Sequence, residues 1–259
     1  MRPTFGIGML CYGRYDTFRE ALRTYQAAGL FDLADEVLIA FNGLDEAAED
    51  LAGEFGLPHI GSKDNLGILG GFKMLAEGMT SDIVLLLEND LPLIESAKEA
   101  RRQIELARMA LAENDVEVFR FRHRLHPGYR DQAAPKFLRY YRPNLLSQIR
   151  RLVRPGKARK MIGNSIYAYA EPHKIFKAVE QRPGGWFRIS ARHMNWSNQS
   201  IMIRRKFFLD EILAYAAANP SKRTVNGFPD IEKELNSSHW RNSGWHVGAD
   251  LGLFTHAEP

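Results

Sequence analysis

The sequence is short of cysteine and of long apolar runs, and each shortage excludes a class of protein. The chain has 259 residues and a single cysteine, Cys11, which excludes an internal disulfide framework and favours a reducing compartment. No apolar run is long enough to cross a bilayer, and the first residues show no signal-peptide pattern. No repeat is visible. We therefore expect a cytoplasmic protein with a single domain spanning residues 1–259.

Acidic residues are scarce in one stretch, residues 120–160. This stretch contains thirteen Lys and Arg but only one acid, Asp131, so its net charge is +12 against +4 for the whole chain. Such asymmetry predicts an anionic partner for one face of the protein.

Within this basic stretch, apolar side chains alternate with arginines, and Leu145, Ile149 and Leu152 fall on one face of a predicted helix. That composition is typical of a helix that lies on an anionic membrane. It suits equally an acidic glycan acceptor, or arginines that hold a diphosphate. No nucleic-acid recognition motif is present, so nucleic acid is not an expected partner.

Strand-like and helix-like segments alternate along the chain, which predicts an α/β fold with a mostly parallel central sheet flanked by helices. The predicted strands are residues 4–11, 36–41, 59–60, 83–87, 116–122, 166–169, 201–203 and 245–248. The predicted helices are residues 15–28, 45–55, 72–78, 94–114 and 172–181.

Residues 64–93 carry the most specific pattern in the sequence. A glycine-rich segment is followed by a short predicted helix and a continuous apolar run of strand length, which ends in Glu88-Asn89-Asp90. The glycines allow a tight loop close to a ligand. In open α/β sheets ligands bind at the carboxyl ends of strands, and carboxylates there suit Mn²⁺ or Mg²⁺. The alternative is a polar loop after a core strand.

This arrangement resembles the donor-binding half of GT-A glycosyltransferases, most closely those of family 2. The resemblance implies that Asp90 holds a metal on the diphosphate of a nucleotide-sugar donor. Glu88 replaces the Asp that usually begins the acidic triplet, and Lys73 stands where many members have Asn. The donor-binding residues that the resemblance implies are Cys11, Tyr12, Arg14, Asn42, Asn65, Gly70, Gly71, Lys73, Glu88 and Asn89. The alternative for Tyr12 and Arg14 is that they only cover the end of the sheet.

A second resemblance to family 2 lies in residues 227–235, where a loop enters a predicted helix. One carboxylate here, Asp230 or Glu232, takes the place of the base that activates the acceptor hydroxyl. The alternative is a helix start stabilised by acids. His256 resembles the late histidine that joins the metal site, with a surface histidine as the alternative. The polar cluster with Trp196, Asn198 and Gln199 is predicted to bind the acceptor, by aromatic stacking and amide hydrogen bonds.

The resemblance implies a metal-dependent, inverting transfer of a sugar to a hydroxyl of a glycan or lipid-linked glycan. Residues 1–93 would form the donor half, residues 120–160 a basic insertion, and residues 161–259 the acceptor-side half. The insertion would place the protein on the inner face of a membrane. Two alternatives stay open: a nucleotidyltransferase of sugar phosphates, and an inactive module that binds glycans or anionic membranes.

Overall fold

A nine-stranded sheet forms the centre of the computed structural model, which describes residues 2–129, 131–221, 224 and 227–258. Its strands are β1 Phe5–Cys11, β2 Glu36–Asn42, β3 His59–Ser62, β4 Ile83–Glu88, β5 Val118–Arg122, β6 Val179–Gln181, β7 Phe187–Ser190, β8 Ile201–Arg204 and β9 His246–Phe254. Their order across the sheet is β3-β2-β1-β4-β8-β5-β9-β7-β6. Only β7 and β8 run against the other strands, so the predicted, mostly parallel sheet is confirmed.

Helices cover both faces of this sheet. They are α1 Tyr15–Ala27, α2 Glu46–Phe55, α3 Gly67–Gly78, α4 Ala97–Ala112, α5 Ala133–Tyr141, α6 Leu145–Val153, α7 Pro155–Arg159, α8 Arg205–Phe207, α9 Ala214–Ala218, α10 Glu232–Leu235 and α11 Ser238–Asn242. A π-helical stretch, Phe208–Leu213, joins α8 to α9. In the described residues, no helix has the length and apolar composition that crossing a membrane requires.

Each face of the sheet has its own hydrophobic core, and the side chains of β1 alternate between the two. Phe5, Ile7 and Met9 pack on the side of α1 and α4, whereas Leu10 packs on the side of α3, because successive side chains of a strand point to opposite faces. Gly8 faces α3, and a Cβ there would lie 2.7 Å from the sulfur of Met79. The glycine therefore allows α3 to pack tightly on the sheet.

The parallel strands bring several chain segments to one edge of the sheet. β1 lies between β2 and β4 and pairs with both in parallel, so the loops after Cys11, Asn42 and Glu88 leave the sheet side by side. β9 is parallel to β5 and ends at the same edge. The residues that follow β9 bridge to Gly128 through His256. The edge is thus built from the start, middle and end of the chain.

Two predictions in the second half of the chain are wrong. Instead of a strand over residues 166–169, the chain forms a 3-10 helix, Ile162–Tyr167. The guanidinium of Arg124 donates to the carbonyls of Ile166, Tyr169 and Ala170, so these backbone groups need no strand partner. Instead of a helix over residues 172–181 there is a short 3-10 turn followed by β6, which pairs with β7.

The predicted glycine loop is also corrected. Gly67 begins α3 with a φ of 68°, but Gly70 and Gly71 lie inside this helix and have no positive φ. A Cβ on Gly71 would lie 2.8 Å from the side chain of Leu10. Gly71 therefore serves helix packing against the sheet.

Candidate functional site

A cleft opens at the carboxyl ends of β1, β2 and β4, and we call it the Tyr12 cleft. Its volume is about 130 Å³, and its lining residues are Leu10, Tyr12, Asn42, Asn65, Gly67, Ile68, Glu88, Asn89 and Phe228. The ring of Tyr12 is 54% exposed, so its face is open to a flat ligand.

Asn42 holds the loop that borders this cleft. Its amide nitrogen donates to Asn65 Oδ1 and to the carbonyl of Gly67, both at 3.1 Å. Its oxygen accepts from the backbone nitrogen of Leu66 at 2.6 Å. Both amide hydrogens and the oxygen are therefore used inside the protein. Asn42 shapes the cleft by fixing the start of α3.

Asp90 is the centre of a second group at the same edge. Its Oδ2 accepts from Nη1 of Arg14 at 2.8 Å and lies 3.2 Å from Nε2 of His256. Its backbone carbonyl accepts from the nitrogen of Ala257 at 2.9 Å, which fixes the last residues beside β4. Burial opposes ionisation of Asp90, but the hydrogen bond and charge of His256, with the charge of Arg14, lower its pKa.

The donor set of this group fits a divalent cation that takes its remaining ligands from a substrate. Among the described residues no cluster of three or more His, Cys, Asp and Glu is placed to hold a metal. Asp90 Oδ1, however, is buried and has no hydrogen-bond partner in the part of the chain that the structure describes. His256 Nδ1 lies 3.0 Å from the carbonyl of Tyr129 and must donate to it, so Nε2 is the nitrogen that can ligate. Asp90 and His256 can thus supply one carboxylate and one imidazole, a combination that suits Mn²⁺.

Glu88 lies near three other carboxylates. Burial, together with the charges of Asp90, Glu232 and Asp230, raises the pKa of Glu88 to about 8, while His256 opposes them. Glu88 is therefore protonated at neutral pH in the metal-free protein. The same interactions show that Asp230 and Glu232, predicted from a distant part of the chain, lie close enough to Glu88 for their charges to act on it.

A second cleft, which we call the Arg120 cleft, contains Glu232. Its volume is about 340 Å³, and its lining residues are Arg120, Arg122, Asp131, Gln132, Ala133, Lys136, Asn164, Tyr167, Asn195, Trp196, Ser197, Gln199, Glu232 and Asn236. Glu232 Oε1 accepts from the hydroxyl of Ser197 at 2.8 Å and from the backbone nitrogen of Asn198 at 3.1 Å. These two bonds fix the carboxylate at the border of the cleft.

The structure brings together most of the residues predicted for the site. Five predicted donor-binding residues line the Tyr12 cleft, and these are Tyr12, Asn42, Asn65, Glu88 and Asn89. Arg14 contacts Asp90 and so belongs to the same edge. Glu232, Trp196 and Gln199 line the Arg120 cleft.

Other predicted donor-binding residues lie elsewhere. Cys11 is 1% exposed, and its thiol donates to the carbonyl of Gly13 beneath the cleft. Lys73 lies on the outer side of α3, 3.8 Å from Glu77. Gly70 borders a separate surface groove with Lys73, and Gly71 packs on Leu10. The predicted direct donor contacts of these four residues do not agree with their positions.

The predicted stacking role of Trp196 is wrong as well. Trp196 is 2% exposed and packs between Phe208 and Trp240. Its Nε1 donates to Asn198 Oδ1 at 2.6 Å, and Asn198 is itself buried. Both side chains therefore support the wall of the Arg120 cleft from behind.

The sequence prediction missed Phe228, Arg120 and Arg122. Phe228 covers Gly67, where a Cβ would lie 2.4 Å from the Cβ of Phe228. Nothing in the neighbouring sequence predicts this close approach. Arg120 and Arg122 could have been predicted, because they alternate with Phe119 and Phe121 in an otherwise apolar strand. A charged residue at every second position of a central strand indicates a face that meets a polar cleft.

Comparison with known proteins identifies the fold. No family model matches the sequence, and neither does any curated protein. Among solved structures, S. aureus TarS 1-349 superposes with a TM-score of 0.55 and 9% sequence identity, over 98% of this chain and 60% of that one. This chain therefore spans about 60% of the length of the TarS 1-349 chain.

Two further structures were solved with ligands. Glucosyl-3-phosphoglycerate synthase from Mycobacterium tuberculosis, in complex with Mn²⁺, uridine diphosphate and glucosyl-3-phosphoglycerate, has a TM-score of 0.51 and 11% identity, over 99% of this chain and 73% of that one. Mannosyltransferase PcManGT from Pyrobaculum calidifontis, in complex with GDP-Man and Mn²⁺, has a TM-score of 0.54 and 9% identity, over 100% and 57%. These similarities confirm the predicted GT-A fold for this chain.

Proposed function

We propose that this protein is a metal-dependent glycosyltransferase that moves a sugar from a nucleotide-sugar donor to a hydroxyl acceptor. The observation that carries the proposal is the proximity of Asp90, Glu88 and Glu232, of which Glu88 lines the Tyr12 cleft and Glu232 lines the Arg120 cleft. One cleft has an open aromatic face and the other a fixed carboxylate. The structures with the same fold that hold UDP or GDP-Man together with Mn²⁺ support this assignment.

The Tyr12 cleft is the proposed donor site. The exposed ring of Tyr12 is available to stack on the base, and Phe228 closes the opposite part of the lining. The Asn42 hydrogen bonds hold the start of α3 in place before the donor arrives. Preorganisation of this kind lowers the cost of binding.

The diphosphate is proposed to lie beside Asp90. Mn²⁺ or Mg²⁺ held by Asp90 and His256 would neutralise the diphosphate and stabilise the leaving group. The bond from His256 to the carbonyl of Tyr129 keeps Nε2 directed at Asp90. Arg14 adds a fixed positive charge at the same carboxylate, where it can also contact a phosphate oxygen.

Glu232 is the proposed base. Oε1 is held by Ser197 and Asn198, and within the described residues Oε2 makes no hydrogen bond, so it can accept the proton of an acceptor hydroxyl. Asp230 is 6% exposed, and its Oδ1 lies 3.3 Å from the backbone nitrogen of Glu232. We assign Asp230 to positioning the start of α10. A donor in the Tyr12 cleft and an acceptor in the Arg120 cleft suit a single displacement, which inverts the anomeric carbon.

A thermal-shift screen of nucleoside diphosphates and nucleotide-sugars, with and without Mn²⁺, tests the proposal. A ligand present at a hundred times its dissociation constant adds about 2.7 kcal/mol to the stability of the folded state. We expect a Mn²⁺-dependent shift with at least one nucleotide, and hydrolysis or transfer of the matching sugar. Pyrophosphate release from a nucleoside triphosphate and a sugar phosphate would instead identify a nucleotidyltransferase. Binding without turnover would identify an inactive module.

We also propose that α6 attaches the protein to an anionic membrane surface. Leu145, Leu146, Ile149, Leu152 and Val153 are 69%, 63%, 45%, 81% and 71% exposed, although this helix belongs to a folded domain. Apolar side chains grouped in this way mark an interaction site. This location would suit a lipid-linked acceptor.

The charges around α6 support the same proposal. Nine Lys and Arg and no acid lie between residues 133 and 160, and in the described chain none of these nine forms an ion pair with an acid. The excess charge is therefore not neutralised within the protein. Each Lys or Arg close to an anionic membrane contributes about 1 kcal/mol of attraction.

A further inference from the structure

We propose that the acceptor carries a phosphate or carboxylate group, which Arg120, Arg122 and Lys136 bind in the Arg120 cleft. The inference rests on the proposed function, because it names the chemical class of the acceptor that Glu232 would activate. Anion binding in this cleft can nevertheless be measured without any transfer reaction.

Arg120 is the first observation. It lies on β5, is only 9% exposed, and donates to the backbone carbonyl of Asn195. In the described residues no carboxylate lies within ion-pair distance of it, and burial lowers its pKa, although Tyr167 and the charge of Glu232 partly oppose this. A buried guanidinium ordinarily needs a carboxylate partner. A ligand anion would supply the missing charge.

Arg122 repeats the pattern two residues further along the same strand. Its Nε donates to the carbonyl of Pro127 at 2.9 Å, its Nη1 to Gln199 Oε1 at 2.6 Å, and its Nη2 to the carbonyl of Tyr129 at 3.3 Å. All three acceptors are neutral. The guanidinium is thus held rigidly while its positive charge stays available, which is the arrangement that recognises phosphate and carboxylate.

Lys136 adds a mobile cation. Its side chain is exposed, and it makes no ion pair or hydrogen bond through Nζ among the described residues. Two acids share the lining: Asp131 accepts from the backbone nitrogen of Ala133 at the start of α5, and Oε1 of Glu232 is held by Ser197. Neither lies within ion-pair distance of the three cations.

The size and layout of the cleft agree with this chemistry. Its volume of about 340 Å³ exceeds that of the Tyr12 cleft, so it can hold a sugar-sized molecule with an anionic substituent. Glu232 lies on the same lining as the cations. An acceptor whose anion contacts Arg120 and Arg122 can therefore direct a hydroxyl at this carboxylate, which is how remote binding groups position a reacting atom.

The inference is tested by calorimetry with two matched pairs of probes, in the presence of UDP and Mn²⁺ and again without them. The pairs are sn-glycerol 3-phosphate with glycerol, and glucuronate with glucose. We expect each charged probe to bind at least tenfold more tightly than its neutral partner. Lys136→Gln should weaken the charged probes about tenfold and leave UDP affinity unchanged, since one charge-assisted contact is lost. Lys98→Gln removes an exposed lysine from α4 and should change neither affinity.

Equal affinity for charged and neutral probes would overturn the inference, as would equal behaviour of Lys136→Gln and Lys98→Gln.

A second pair of variants changes Arg122. Arg122→Lys, which keeps the charge but loses the planar fork, should weaken binding of the phosphate probe less than Arg122→Gln does. The opposite order would also contradict the inference. Failure of every nucleoside diphosphate in the screen to bind would overturn the proposed donor site, while the probe series without nucleotide would still show whether the cleft binds an anion. Vesicles of phosphatidic acid identify the source: displacement of bound glycerol phosphate indicates a lipid-borne phosphate, and no displacement indicates a soluble acceptor.

Discussion

Nε2 of His256, close to the last described residue, lies 3.2 Å from Oδ2 of Asp90 at the end of β4. Arg14, close to the start of the chain, donates to the same oxygen at 2.8 Å. The carboxylate therefore connects three distant segments through charge-assisted hydrogen bonds. Because Asp90 Oδ1 is buried and makes no hydrogen bond within the described residues, this oxygen is available to a metal ion.

Replacement of Asp90 by Asn should remove Mn²⁺-dependent binding of UDP. The change keeps the shape of the side chain but removes the carboxylate that His256 and Arg14 share. A charge pair at about 4 Å is worth about 4 kcal/mol at an effective dielectric constant near 20, which corresponds to roughly a thousandfold in affinity. Calorimetry with and without Mn²⁺ measures it, with circular dichroism to show that the fold persists. Undiminished Mn²⁺-dependent binding would exclude Asp90 as the ligand.

Stability of the metal-free protein should depend on pH through His256. The hydrogen bond to Asp90 raises the pKa of His256 above its ordinary 6.5, and burial only partly opposes this. The folded state then holds the proton more tightly than the unfolded state. The stabilisation is complete below pH 6.5 and is lost as the pH rises through the raised pKa.

The loss of Tm in His256→Gln should accordingly be larger near pH 5.5 than near pH 9, in EDTA. His59→Gln, in which an exposed histidine of β3 that forms no ion pair in the described chain is replaced, is the control. A pH-independent difference for His256→Gln would contradict the ion pair with Asp90.

Replacement of Glu88 by Gln should stabilise the metal-free protein at alkaline pH. Burial raises the pKa of Glu88 to about 8 from its ordinary 4.5, so folding takes up a proton between these two values and stability falls as the pH rises through them. Glu88→Gln removes this dependence. The gain in Tm over wild type should be close to zero at pH 4.5, grow up to about pH 8, and then level off. Glu113→Gln, at an exposed position after α4, should show no such trend.

The first half of the fold follows from the sequence because its determinants are local. β1, β2 and β4 are continuous apolar runs, as strands buried on both faces must be, and glycine or proline marks the ends of the intervening helices. Residues 162–181 lack such a pattern. Their backbone is fixed by Arg124, a residue far away in sequence, and no local signal predicts that contact.

The site likewise contains residues whose positions follow from the local sequence and residues whose positions do not. The positions of Glu88 and Asp90 follow from the strand that ends there, and their approach to Glu232 is what the resemblance implies. The ion pair of Arg14 with Asp90 could not be predicted, because it depends on left-handed backbone at Gly13 and Arg14, with φ values of 55° and 51°. The burial of Trp196 could not be predicted, because an aromatic residue in a polar segment can belong either to the core or to a binding wall. Its burial is decided by Phe208 and Trp240.

Glu232→Gln should abolish transfer and leave donor binding intact. Loss of a general base costs roughly 10²–10⁴ in kcat, and the amide can still accept from Ser197 and Asn198 through its oxygen. Asp230→Asn, the matched change two residues earlier, should have the smaller effect on kcat if Asp230 only positions α10. Rates of transfer and UDP affinity are compared for both variants. Near-normal turnover in both would show that the base lies outside this segment.

Charge reversal around α6 should detach the protein from anionic vesicles without changing nucleotide affinity. Arg142, Arg154 and Lys157 suit this test because their side chains are exposed and form no ion pairs in the described chain. Arg151 is left intact, since its Nη1 donates to the carbonyl of Tyr140 at 2.6 Å and holds α6 on α5. Replacement of the three residues by Glu reverses their attraction to the membrane, which contributes about 1 kcal/mol for each cation.

The matched control reverses Lys98, Arg101 and Arg192, which are also exposed but lie outside the basic stretch. We expect the control to bind vesicles of phosphatidylserine much more tightly than the α6 variant does, and both to keep the nucleotide affinity of the wild type. Added salt should release the wild type from the vesicles, because charges are screened beyond about 8 Å at physiological ionic strength.

A second variant, Leu145→Ser with Leu152→Ser, removes the two most exposed leucines of α6 and should weaken binding even at low salt. If wild-type protein does not sediment with phosphatidylserine vesicles at low salt, the exposed face of α6 must serve a partner other than a membrane.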